Sequence, residues 1–113
     1  METVYISGPM TGCQDNNIAA FREAEAQLRK SGFEVINPHD LILDDIPDNI
    51  TDSERWGRYL ARDIAVMLER KPDYIYMLPG WQCSRGACLE RAFAARLGIM
   101  LFPELLIKWD NRY

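Results

Sequence analysis

Apolar and polar positions recur at two different periods along this chain. The first run, Thr3-Val4-Tyr5-Ile6-Ser7, is short, β-branched and aromatic, which predicts a strand. Gly8-Pro9-Met10-Thr11-Gly12 is then a turn-rich loop. Ile18, Phe21, Ala24 and Leu28 recur at helical spacing, predicting a helix over 16–31 that stops at Gly32. Phe33 to Ile36 is a second strand, ended by Asn37-Pro38. Residues 37–52 read as a long acidic loop with Asp44, Asp45, Asp48 and Asp52, suited to a lid or simply to a solvated surface. Asp52 or Ser53 would cap a helix over 54–70. Asp73 to Leu78 is nearly all apolar, as a strand covered on both faces should be. After the loop Pro79–Cys83, Ser84 would cap a helix that ends at Gly98. Ile99 to Phe102 is a fourth strand, and Glu104 to Trp109 a short terminal helix.

Strands alternating with helices predict one α/β domain over 1–113, with a parallel sheet and helices on both faces. Such sheets bind ligands beyond the C-terminal ends of their strands. The loops Gly8–Gly12 and Pro79–Cys83 belong at that edge.

Composition narrows the partners. The chain has 113 residues, the size of one domain, and a net charge of -4. That balance argues against a broad nucleic-acid surface, which needs clustered Lys and Arg, but not against one bound nucleotide. No apolar run approaches the ~20 residues needed to span a bilayer. The chain enters its first strand with no signal-peptide pattern, and Cys13, Cys83 and Cys88 are an odd count without framework spacing. The expectation is a reduced, cytoplasmic setting.

Two acids stand out on helical wheels. At ~100° per residue, Arg85 and Arg96 fall on one side of the 84–97 helix and Glu90 falls roughly 120–140° away. Glu90 therefore shares the apolar stripe of Gly86, Ala87, Phe93, Ala94 and Leu97, and leans over the small Gly86 and Ala87. Burying an unpaired carboxylate is expensive, so a function or a buried ion pair is expected there. On the preceding helix, Trp56, Leu60, Ile64 and Met67 define the apolar face, while Glu54, Arg55, Arg58, Arg62 and Glu69 cluster opposite. Asp63 falls beside Trp56, either reaching a pocket or closing an edge salt bridge with Arg62 or Arg70. Two carboxylates at one strand edge suit acid/base plus nucleophilic chemistry, for example at a glycosidic carbon.

Tyr5-Ile6-Ser7-Gly8-Pro9-Met10-Thr11-Gly12, Asn17 with Phe21, Asn37-Pro38, Asp63, and Leu78-Pro79-Gly80-Trp81 with Ser84-x-Gly86-Ala87-x-x-Glu90 together resemble the nucleoside 2-deoxyribosyltransferase-like superfamily, closest to its short phage- or prophage-type domains. The resemblance covers about residues 3–102. It implies a three-layer flavodoxin-like or Rossmann-like sandwich with a small parallel sheet of four to five strands. It implies cleavage or transfer at the N-glycosidic bond of a 2′-deoxynucleoside or its 5′-monophosphate, without cofactor or metal. Glu90 matches the nucleophile, Asp63 the acid that handles the base or sugar, and Tyr5 the residue that orients the nucleophile. Ser7, Gly8, Pro9, Met10, Gly80, Trp81, Ser84 and Gly86 match substrate-binding positions, with Ser84 at the phosphate-contacting spacing and also a natural N-cap. The loop Trp81-Gln82-Cys83 lacks the acid with which the transferases read the base; Trp81 would stack on a base or pack.

The alternative is a non-catalytic nucleotide-binding or sensing module that keeps the same pocket. Cys83, Cys88 and His39 lack the paired short spacings of a zinc site, and Gly8-x-x-x-Gly12 lacks the Walker lysine. Trp56, Tyr59, Trp109 and Tyr113 suit a subunit interface, and relatives in the superfamily share sites between subunits, so a dimer or tetramer is expected.

Overall fold

The computed structural model describes residues 1–43 and 46–102. Among the described residues seven strands and α-helices follow in order: β1 (Thr3–Ser7), α1 (Ile18–Lys30), β2 (Glu34–Ile36), α2 (Asp52–Arg70), β3 (Tyr74–Met77), α3 (Arg85–Arg96) and β4 (Met100–Leu101). All strand pairs are parallel, in the order β2-β1-β3-β4. The fold is the expected α/β class, a small three-layer Rossmann- or flavodoxin-like sandwich. The predicted terminal helix 104–109 and the acids Asp44 and Asp45 lie outside the described residues.

Side-chain alternation on β1 divides the core. Val4 and Ile6 face α1, packing with Phe21, Ala24, Leu28, Val35 and Leu78. Tyr5 faces the other way, toward Met67 of α2 and Ala87 and Ala94 of α3. Phe21 and Met67 are fully buried, and each such side chain stabilises by about 1.5–3 kcal/mol. β1 is central, leaving Val4 to Ser7 with no exposed surface.

Helix boundaries differ from the sequence expectation for local reasons. Asp15, Asn16 and Asn17 all adopt left-handed backbone angles, with φ of 48°, 52° and 62°. Asp and Asn tolerate that region best, and it delays α1 from 16 to Ile18. The α2 cap is Thr51, whose hydroxyl accepts from the Glu54 amide at 3.1 Å, so the helix starts at Asp52 instead of 54. The loop after β2 is partly regular, because Pro38–Asp40 form a 3-10 turn in which the Asn37 side chain accepts from the His39 amide. Arg22 reaches Asp40 at 2.7 Å and Glu25 at 3.0 Å, and Asn37 donates to Glu25 at 3.1 Å. The first residues of the predicted lid are thus tied to α1.

From β1 the chain goes to β2 on one side through α1, while β3 lies on β1's other side. The crevice beyond the C-terminal ends of β1 and β3 is therefore the topological switch point, where ligands bind in such sheets. Its rim consists of the Gly8–Gly12 and Pro79–Cys83 loops, as expected.

Candidate active site

β1 ends at Ser7, and its period of two puts Tyr5 and Ser7 on the face covered by α2 and α3. α3 begins beside that edge, its first turn capped by the Ser84 hydroxyl, which accepts from the Ala87 amide at 3.2 Å. Glu90 lies one and a half turns further on, 7 % exposed, between Ala87 and Ala94 on the buried face. The Ser7 hydroxyl donates to Glu90 Oε1 at 2.6 Å, and the Tyr5 hydroxyl donates to Oε2 at 3.3 Å. One carboxylate is thereby held through both oxygens by the buried end of β1.

Asp63 arrives from α2, 6 % exposed, close enough to Glu90 to share a hydrogen bond through a proton. Arg62 Nε and Nη2 donate to Asp63 Oδ1 at 3.0 and 2.7 Å. The edge salt bridge anticipated for Asp63 is thus formed, with Arg62 as the partner. Burial, followed by the Asp63 charge and the hydrogen bond with it, pushes the Glu90 carboxyl well above the usual carboxylate range. The Ser7 and Tyr5 hydroxyls pull the other way. Burial and the nearby Glu90 charge push the Tyr5 phenol well above its ordinary value, so it remains a donor.

The two rim loops meet. A Cβ on Gly80, which has a left-handed φ of 87°, would stand 3.6 Å from Pro9. Gly8 is the tighter case, since a Cβ there would stand 2.7 Å from the Leu78 Cβ. That approach lets the Leu78 amide donate to the Ser7 carbonyl at 2.8 Å and extends the β1–β3 ladder to the site. The Asn17 side chain donates to the Pro9 carbonyl at 2.9 Å, fixing the first loop from the far side.

The remaining sequence candidates separate into site and support. Gly86 faces the Trp56 indole, which would lie 3.7 Å from a Cβ placed there. The space above Gly86 is therefore bordered by an aromatic wall from α2. Met10 packs on the α1-side core, and Trp81 packs on the Tyr5 side with the Arg91 guanidinium carbon 4.9 Å from its ring centroid. Trp81 is half-buried, so packing occupies at least one of its surfaces. Ser7 has no exposed surface and its hydroxyl is engaged by Glu90, which puts it behind the carboxylate.

Arg62 is the correction. The wheel set it with the solvent-facing charges of α2, yet its side chain is only 12 % exposed. Its guanidinium donates to the carbonyls of Leu41 at 3.0 Å and Pro38 at 3.2 Å as well as to Asp63, and lies 5.1 Å from the Tyr59 ring centroid. Those carbonyl partners stand 21 and 24 positions away, on the turn that follows β2. No helical periodicity reports such an acceptor.

An open groove of about 620 Å³ occurs at the opposite end of the sheet, lined by Leu68, Lys71, Asp73, Leu97 and Met100, remote from the acid pair. No helix among the described residues is long and apolar enough to cross a membrane. No curated protein and no solved structure matches the chain. One family does, over residues 2–102, which span both rim loops and every residue of the acid pair's surroundings, and the chain therefore belongs to the family described as a domain of unknown function, DUF4406.

Proposed function

We propose that this protein breaks the N-glycosidic bond of a 2′-deoxynucleoside or its 5′-monophosphate, with Glu90 as nucleophile and Asp63 as acid/base. The observation that carries the reading is a buried carboxylate gripped through both oxygens by Ser7 and Tyr5 beside a second carboxyl group. Burial and the Asp63 charge keep a proton on the Glu90 carboxyl in the resting pair. In the reactive form that proton has moved to Asp63, and the Ser7 and Tyr5 hydroxyls stabilise the Glu90 anion left behind.

Glu90 then attacks C1′ while the C1′–N bond breaks and its electron pair goes to the base. Asp63 delivers its proton to the departing nitrogen. In the second half, Asp63 takes a proton from water, the water oxygen bonds to C1′, and the C1′–Glu90 bond breaks to restore the carboxylate. A second base in place of water gives transfer. Trp56 beside Gly86 offers an apolar wall to the sugar or base. The Ser84-capped start of α3 suits a 5′-phosphate.

The test is incubation with deoxynucleosides and their monophosphates, followed by chromatography for free base. Wild-type protein is expected to release base, and E90A to lose at least about 10³-fold of that rate. Nucleotide binding without base release would favour the binding-module reading instead.

We further propose that the chain works as a cytoplasmic homo-oligomer. Tyr59, Leu68 and Met100 are 41 %, 50 % and 54 % exposed, which supplies apolar surface for a partner copy. Light scattering at micromolar concentration should give at least the dimer mass; a monomer mass overturns it.

A further inference from the structure

We infer that Arg62 is a positioning residue that decides which oxygen of Asp63 carries the proton of the acid pair. Both of its contacts to Asp63, from Nε and Nη2, end on Oδ1. A guanidinium has only donors and cannot accept a hydrogen bond. An oxygen that already accepts two N–H groups at 3.0 and 2.7 Å is a poor place for a proton. A proton on Asp63 therefore resides on Oδ2, and Oδ1 keeps its role as acceptor.

The guanidinium is itself immobilised. The carbonyls of Leu41 and Pro38 take two of its other three N–H groups, and the Tyr59 ring lies alongside. The orientation of Asp63 is thus set by a turn that follows β2, on an element carrying neither acid. Lysine cannot reproduce this arrangement, since its compact ammonium lacks the planar fork that reaches one carboxyl oxygen twice and two carbonyls besides.

The kinetic consequence rests on the N-glycosidase reading above; the proton placement rests on geometry alone. Two measurements keep them distinguishable. The first is carboxyl and guanidinium NMR across a pH titration of the wild-type protein. The titratable and charged groups around the pair are Tyr5 from β1, Arg62 from α2, Glu90 from α3 and His39 from the turn after β2. The Arg62 Nε–H resonance is expected to move in step with the Asp63 and Glu90 carboxyl signals. In R62Q the pair's apparent titration moves upward, because a cation that favours the anion is gone.

The second measurement is base release. Both R62Q and R62K are expected to lower kcat about 10–100-fold with KM changed less than about three-fold, as misorientation of an acid does. R96Q, at an exposed position in the last turn of α3, serves as the control and should match wild type. A merely structural staple would lower thermal stability in R62Q but leave the titration and the kcat-to-KM split unmoved. The inference is overturned by an Arg62 Nε–H signal that stays flat through the titration, or by R62K with wild-type kcat. Should the wild-type protein release no base, the proposed reaction fails while the NMR titration still decides the proton placement.

Discussion

Ser7 and Tyr5 contact the same carboxylate but not equally. A buried O–H···O distance of 2.6 Å is charge-assisted and short, whereas 3.3 Å is long for hydroxyl donors. Removing Ser7 should therefore matter more. S7A is expected to reduce base release by about 10–100-fold, corresponding to the 1.5–3 kcal/mol of a hydrogen bond to a charged group, and Y5F by less than about 10-fold. Steady-state kinetics on the two variants checks the order; a larger effect in Y5F contradicts it. Glu90 itself opposes folding at neutral pH. Its folded pKa lies above its unfolded value, so the folded chain holds the proton more tightly. That contribution is complete below the unfolded value near ~4.3 and is lost as pH rises through the folded one. E90Q, which stays neutral, should consequently gain on wild type as pH increases. Thermal melts from pH 5 to 8 test the sign. At this scale the sequence was informative where a residue's own helix or strand decided its direction. Glu90 was legible from its wheel neighbours. Tyr5 and Ser7 were two positions apart on one strand, so their shared face was legible too, although the reading had put Ser7 with the substrate-binding loop. Arg62 was legible only as one of two possible partners for Asp63, because its other acceptors are carbonyls brought near only by folding.

Elements supply the rigidity behind these contacts. α2 carries Asp63 near its middle and is capped by Thr51, with Asp52 and Glu54 in its first turn where the helix dipole favours acids. T51A is expected to lower stability by about 1 kcal/mol and, since Asp63 lies three turns away, to leave activity nearly unchanged. Chemical denaturation and base release measured together check both halves. The strand–loop junction is less forgiving. At Gly8 an added methyl meets the Leu78 side chain at 2.7 Å and its strand cannot shift without disturbing the Ser7–Leu78 hydrogen bond. G8A should destabilise by about 1–3 kcal/mol and also reduce activity, because Ser7 is the next residue. Denaturation at a wild-type midpoint would refute it. The sequence marked both loops as turns through Gly and Pro, and it located Ser84 as a cap. It placed the starts of α1 and α2 two residues off, since three successive left-handed Asp and Asn residues and a threonine cap compete with apolar spacing at helix ends.

At the scale of the molecule, the strand order β2-β1-β3-β4 brings three separate segments to one point. β1 contributes Tyr5 and Ser7, α2 contributes Arg62 and Asp63, and α3 contributes Glu90, with up to 85 positions between partners. The groove lined by Leu68, Leu97 and Met100 lies at the opposite end of the strands, so an oligomer contact there would leave the acid pair open. What the sequence alone determined was the α/β alternation, the two rim loops and the two acids lying off their helices' solvent faces. These follow from periodicity and from the conformational preferences of Gly, Pro and capping residues, which are local. Tertiary structure decided that both acids meet, that Ser7 and Tyr5 grip opposite oxygens of one of them, and that Arg62, one of two partners expected for the other, is itself held by the carbonyls of Leu41 and Pro38. Hydrogen bonds form between groups within about 3 Å in space, and neither burial nor periodicity within one element reports which distant carbonyl or carboxylate will occupy that position.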